Sequence, residues 1–78
     1  MEEKHHIVLR SKVTGILYDD LEVVHIWDVL KAYKYMSNGA QIIDIFPGHD
    51  KDGAERLCFV FSKRDDELLY PLWQKHKL

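Results

Sequence analysis

The chain has 78 residues, about half of a typical domain length, and we therefore expect one domain that spans residues 1–78. Hydrophobic residues make up 46% of the chain and charged residues 31%, a composition that is typical of globular proteins and excludes a disordered chain. Eleven basic and 13 acidic residues give a formal net charge of −2, so the composition offers no general attraction for nucleic acid.

The sequence shows no sign of membrane insertion or secretion. Its apolar stretches are too short to cross a bilayer, and its N-terminus lacks the basic patch and apolar run of a signal peptide. Cys58 is the one cysteine, so an internal disulfide is excluded. We therefore expect a protein of a reducing, cytoplasmic compartment with no membrane partner.

The first third of the chain is rich in β-branched and aromatic residues. Three apolar runs, separated by short polar pairs, occupy residues 6–10, 13–18 and 21–27. The third run also shows a spacing compatible with a helix, but its β-branched residues favour a strand. This pattern predicts a meander of β-hairpins.

A helix is predicted next. Asp28 is a suitable N-cap, and apolar residues then recur at helical spacing as far as Met36. The dipeptide Asn38-Gly39 predicts the end of this helix, because glycine adopts the left-handed conformation of a C-terminal cap.

The second half of the chain predicts two strands and a helix. Residues 40–46 and 56–62 are apolar on both faces, which is typical of central strands, and residues 47–53 between them predict a turn. The final segment carries acidic residues at its start and basic residues at its end, but Pro71 requires a helix that begins near Tyr70 or is kinked there. The expected fold is α+β, with a mainly antiparallel sheet of four to five strands and two helices packed on one face.

From Val24 to the C-terminus, the sequence resembles a group of short uncharacterised proteins from bacteriophages and Gram-positive bacteria, which are domains of unknown function. The shared pattern has a helix that ends at glycine, a strand ending in Asp-Ile, a strand ending in Phe-Val-Phe, and a terminal helix that carries tryptophan. The matching residues are Ile26, Ala32, Tyr35, Gly39, Asp44, Ile45, Phe59, Val60, Phe61 and Trp73. The N-terminal hairpin lies outside the resemblance, and Pro71 departs from the pattern. The resemblance implies an origin in a phage or mobile element; the group itself carries no assigned activity.

Asp44 is the candidate functional carboxylate, because it lies among isoleucines in a predicted strand. A desolvated carboxylate has a raised pKa and can act as an acid or a base. The alternative is that its side chain reaches solvent or pairs with a basic residue such as Arg56. A single carboxylate without an identified partner defines no reaction, so no catalytic residue is assigned.

No cofactor or metal site is expected. The loop from Gly48 to Glu55 contains His49, Asp50 and Asp52, but its spacing departs from that of a calcium loop and predicts a hydrated turn. The five histidines lack the spacing of zinc ligands. Cys58 lies in an apolar strand and is predicted to be a buried, inert thiol.

These observations favour a small non-enzymatic interaction or regulatory protein that docks on a protein partner. The hairpin strands are expected at a sheet edge, where a neighbouring chain can continue the sheet, and a second copy in a homodimer is the simplest such partner. The alternative is that the hairpin completes the core of the monomer. The predicted contact residues are Ile7, Leu9, Ile16 and Tyr18. Two alternatives stay open: a nucleic-acid-binding accessory protein that uses interleaved basic and aromatic residues, and a minor hydrolase that uses Asp44 and a histidine.

Overall fold

The computed structural model describes residues 7–78 and confirms an α+β fold with two helices. The elements, in chain order, are β1 (Val8–Arg10), β2 (Leu17–Asp19), a short 3₁₀ helix (Asp20–Glu22), β3 (Val23–Ile26), α1 (Val29–Ser37), β4 (Asp44–His49), β5 (Glu55–Ser62) and α2 (Lys63–Gln74). The five strands form two antiparallel sheets, one of β1 and β2 and one in the order β3-β5-β4. The prediction of one sheet and of a continuous meander is wrong, because β3 pairs with β5 and not with β2.

β5 is the central strand of the three-stranded sheet, as predicted, whereas β4 lies at its edge. β4 also continues through Pro47 and Gly48, so the turn begins three residues later than predicted, at Asp50. An edge strand accommodates proline, which lacks a backbone N–H, because no neighbouring strand requires a donor on its open side. Glycine at position 48 allows the Trp27 ring to approach closely, since a Cβ there would lie 2.8 Å from the ring.

Capping residues define both ends of α1, as predicted. The Asp28 carboxylate accepts hydrogen bonds from the amides of Leu30 and Lys31, at 2.9 and 3.2 Å. The helix ends at Ser37, and Gly39 follows with a φ of +97°. Only a residue without a Cβ adopts this conformation without strain, which explains the sharp end of the helix.

Helix α2 begins at Lys63, well before the predicted alternative of a start near Tyr70. The Ser62 hydroxyl accepts a hydrogen bond from the Asp65 amide at 3.0 Å and caps the helix, which then runs from Lys63 to Gln74 with Pro71 inside it. A start near Tyr70 is therefore wrong. The three basic residues at positions 75–77 lie beyond the end of the helix.

The sheet has a different covering on each face. Phe59 and Phe61 of β5 pack with Ala32 and Tyr35 of α1, and Trp73 of α2 joins the same cluster. On the opposite face, the buried residues of β5 pack against the hairpin; this second cluster contains Tyr18, Val23, Cys58 and Val60. The helices therefore share one face, as predicted, while the N-terminal hairpin covers part of the other.

Within residues 7–78, no helix has the length and apolar character needed to cross a membrane.

Candidate functional site

Asp44 lies at the start of β4, beneath the hairpin, and is only 6% exposed. The Tyr18 hydroxyl donates a hydrogen bond to Oδ2 of Asp44 at 2.6 Å, and the Ile45 amide donates to Oδ1 at 2.8 Å. The Ser11 hydroxyl donates to the same carboxylate. The prediction that Asp44 reaches solvent or pairs with Arg56 is wrong, since Arg56 pairs with Asp50.

These hydrogen bonds decide the charge of the site. Burial opposes ionisation of Asp44, but the hydrogen bonds from Ser11, Tyr18 and the Ile45 amide outweigh it and hold the pKa of Asp44 below its ordinary value. Burial and the neighbouring carboxylate raise the pKa of Tyr18, so its phenol remains a donor at neutral pH. The pair is therefore an ionised acceptor with a neutral donor.

The loop between β1 and β2 is fastened at a second point, to the residue that precedes β4. Thr14 donates a hydrogen bond from Oγ1 to the carbonyl of Ile43 at 2.6 Å. Within the loop, the Ser11 hydroxyl accepts hydrogen bonds from the amides of Val13 and Thr14, at 3.1 and 3.0 Å. Sequence reasoning missed Ser11 and Thr14, although a hydroxyl residue at the start of a turn is a recognisable signal.

The hairpin has an inner and an outer face. Leu9 pairs with Tyr18 across the strands, so both side chains lie on the face turned toward the sheet. The outer face carries Val8 and Leu17, which are 63% and 56% exposed. An outward apolar surface therefore exists, but it lies on the face opposite to the predicted contact residues.

The four predicted contact residues, Ile7, Leu9, Ile16 and Tyr18, belong to the inner side of this alternation. Tyr18 is buried at 8% exposure and Ile16 is half-buried, whereas Ile7 and Leu9 are exposed. Tyr18 is thus unsuitable as a partner contact, because its ring is part of the core and its hydroxyl binds Asp44. The alternation of side chains along a strand shows which residues share a face, but tertiary packing decides which face points toward the core.

A cleft of about 450 Å³ lies between the hairpin and β4. Its apolar wall includes Leu9, Val13 and Phe46, and Arg10 and Lys12 supply two cations. The Arg10 guanidinium donates to the carbonyl of Gly15 at 3.1 Å. Neither cation forms an ion pair within the part of the chain that the structure describes.

A second, more open cleft of about 540 Å³ lies beside Trp27, at the turn between β4 and β5. Asp50 organises this turn: its carboxylate accepts hydrogen bonds from the amides of Asp52 and Ala54, and from Arg56. Arg56 and these amides hold the pKa of Asp50 below its usual value. The carboxylate thus stabilises the turn itself.

Among residues 7–78, no three histidine, cysteine, aspartate or glutamate side chains are grouped as metal ligands. His25 approaches Asp20, with 3.4 Å between Nε2 and Oδ1, and none of the described histidines is among the hydrogen-bond partners of Asp44. His5 and His6 lie outside the described residues.

Cys58 is fully buried, as predicted, on the hairpin face of β5. Burial, with a smaller contribution from Asp44, raises the pKa of its thiol to about 11. The thiol is therefore protonated at neutral pH, a form with little nucleophilicity.

No family model, curated protein or solved structure matches the chain.

Proposed function

We propose that this chain is a small non-enzymatic interaction or regulatory protein that docks on a protein partner through its N-terminal hairpin. The observation that carries the proposal is the exposure of Val8 and Leu17 on the outer face of a hairpin that is fastened to the sheet. A phage or mobile-element origin, which rests on the resemblance, and a cytoplasmic location belong to the same proposal.

The way in which the hairpin is held supports this role. Tyr18 binds Asp44 of β4, and Thr14 binds Ile43 just before that strand, through hydrogen bonds of 2.6 Å each. The apolar outer face is therefore presented by an anchored ribbon. A surface that is ordered before binding loses less conformational entropy when a partner docks. Exposed apolar residues on such a surface are typical of protein contacts.

The β4 edge of the three-stranded sheet is poorly suited to the addition of a strand. The amide of Ile45 in β4 donates to the carboxylate of Asp44, and Pro47 has no amide to donate. Both features protect an edge strand against pairing with another chain. The contrast between this protected edge and the apolar hairpin favours the hairpin as the docking element.

Two of the basic residues that are interleaved with aromatic ones, Lys31 and Lys34, lie against aromatic rings of the same chain. Lys31 Nζ lies 4.5 Å from the centre of the Tyr70 ring, and Lys34 Nζ lies 5.5 Å from that of Trp73. These aromatic faces are therefore partly occupied by cations from the same chain. Together with the net negative charge, this arrangement favours a protein partner over nucleic acid.

Affinity capture with matched variants tests the proposal. The bait is the wild-type chain, the double variant V8S/L17S, or the control variant L68S, in lysate of the organism that encodes the chain. Leu68 on α2 is 66% exposed, close to the exposure of Val8, so L68S removes a similar apolar surface elsewhere. We expect wild type and L68S to retain the same protein and V8S/L17S to lose it. Equal capture by all three baits, or capture by none, contradicts the proposal.

A second measurement addresses nucleic acid directly. We expect no binding of duplex DNA or single-stranded RNA by the purified protein at roughly physiological salt, because a formal net charge of −2 offers no general attraction for phosphates. Submicromolar binding under those conditions would replace the proposal with the nucleic-acid alternative.

A further inference from the structure

The hydrogen bonds that flank β1 show which of its backbone groups point away from β2. The Ser11 amide donates to the Ile16 carbonyl at 2.9 Å, and the Asp20 amide donates to the Ile7 carbonyl at 3.0 Å. Hydrogen-bonded and non-hydrogen-bonded pairs alternate along an antiparallel ladder. The groups of Leu9 therefore point toward β2, and those of Val8 and Arg10 point toward the opposite edge.

This opposite edge is open within the described residues. β2 is the strand that pairs with β1, and residues 7–78 supply no further strand on the other side. Val8 and Arg10 each present one amide donor and one carbonyl acceptor at this edge. A short edge with equal numbers of donors and acceptors is complementary to an antiparallel copy of itself.

We infer that the partner of the hairpin is a second copy of this chain, and that the two copies pair through β1 about a two-fold axis at Leu9. This inference rests on the proposed function of the hairpin and identifies its partner. Val8 of each copy exchanges two hydrogen bonds with Arg10 of the other. The two hairpins then form one four-stranded antiparallel sheet in the order β2-β1-β1-β2.

The side chains select this register from its neighbours. An axis at Arg10 places two guanidinium groups directly opposite each other, which is unfavourable. An axis at Val8 pairs Val8 with itself and leaves Arg10 without a described partner. The axis at Leu9 gives the outward backbone groups of both Val8 and Arg10 a hydrogen-bond partner. It also places the two Leu9 side chains in a non-hydrogen-bonded pair, where side chains approach most closely.

The apolar surface beside the edge supports the same arrangement. Leu9 is 39% exposed and lines the cleft next to β4, and Val8 is exposed on the outer face. A strand laid against β1 covers part of both side chains. Pairing therefore adds apolar burial to the four backbone hydrogen bonds.

Light scattering on two matched variants tests the pairing. V8P removes the outward amide of Val8 without removing a hydrogen bond to β2, whereas V8T keeps the amide and the β-branched shape. At roughly 100 μM, we expect the mass of a dimer for wild type and V8T, and the mass of a folded monomer for V8P. A monomeric wild type, or a V8P variant that remains dimeric, overturns the inference.

A disulfide tests the register even if V8P fails to fold. The Cα atoms of a non-hydrogen-bonded pair lie about 4.5 Å apart, within the range of disulfide bonds. Under mild oxidation we expect L9C to form a covalent dimer rapidly, and the control V13C, in the loop after β1, to form it slowly. A wild-type dimer in which L9C does not crosslink faster than V13C excludes this register.

The outcomes separate this inference from the proposed function. A monomeric wild type that still captures another protein through Val8 and Leu17 leaves the docking role intact and removes only self-pairing. A wild-type dimer that is unaffected by V8P removes the pairing through β1. Equal capture of a protein other than this chain by V8S/L17S and wild type removes docking through the outer face of the hairpin.

Discussion

The phenol of Tyr18 donates a hydrogen bond of 2.6 Å to the carboxylate of Asp44, and this bond joins the N-terminal hairpin to the three-stranded sheet. The helical side of the molecule has a similar connection, since Tyr35 donates to Oδ1 of Asp66 at 2.6 Å and links α1 to α2. Each phenol is buried, at 8% and 0% exposure, and each carboxylate is an acceptor for it. One tyrosine–aspartate bond on each face thus holds together segments that are distant in sequence.

Replacing Asp44 with asparagine tests the role of this bond. An amide has one acceptor oxygen and brings two donors, so it cannot accept from Ser11, Tyr18 and the Ile45 amide as the carboxylate does. We expect D44N to lower the free energy of unfolding by about 1–3 kcal/mol in urea titrations, because buried donors lose their partner. D52N is a suitable control at an exposed position of the β4–β5 turn, where we expect a change below about 0.5 kcal/mol. Equal stability of D44N and wild type would contradict a structural role for the carboxylate.

The same carboxylate predicts a loss of stability in acid. The pKa of Asp44 in the folded protein lies below its ordinary value, so the folded state favours the ionised form. Its contribution is complete above the unfolded-state pKa of about 4 and is lost as the pH falls through the lower folded pKa. We therefore expect the difference in unfolding free energy between wild type and D44N to be constant from about pH 5 to 7. Below about pH 4 this difference should shrink. A difference that grows there would mean that the pKa of Asp44 is raised in the folded protein and not lowered.

The sequence predicts those parts of the fold that depend on neighbouring residues. The N-cap at Asp28 and the left-handed Gly39 define α1 within a few residues, and both are confirmed. The pairing of β3 with β5 depends instead on residues more than thirty positions apart. Alternation along β3 is equally compatible with β2 or β5 as a neighbour, so the sequence alone cannot choose the sheet order.

The sequence predicts the candidate site only in part, for the same reason. Alternation places Leu9 and Tyr18 on one face of the hairpin, but only the contact with Asp44, 26 positions from Tyr18, turns that face inward. Isoleucines surround Asp44 in the sequence, but they leave its burial open and do not identify its donors. The identity of the donors decides the direction of the pKa shift, because burial alone would raise the pKa of Asp44.

Pro71 provides a prediction about α2. It lies inside the helix, where its ring removes one backbone hydrogen bond and crowds the preceding turn. We expect P71A to raise the free energy of unfolding by roughly 1–3 kcal/mol, with an increase in helical circular dichroism. The control E67A also places alanine at an exposed position of α2 but leaves the backbone donors unchanged. A less stable P71A would mean that the packing of Trp73 against the core requires the geometry that proline imposes.

The reactivity of Cys58 measures how firmly the hairpin covers the sheet. Its thiol is buried in the cluster that contains Tyr18, and with a pKa of about 11 it stays almost entirely protonated at pH 8. We expect a thiol reagent such as dithionitrobenzoate to label native wild type very slowly, at a rate that rises with urea. The Y18F variant, which lacks the hydrogen bond to Asp44, should be labelled several times faster, because the hairpin opens more often. Y33F, at an exposed position of α1, should match wild type. Rapid labelling of native wild type, or equal rates for Y18F and Y33F, would show that the Tyr18–Asp44 bond does not hold the hairpin closed over Cys58.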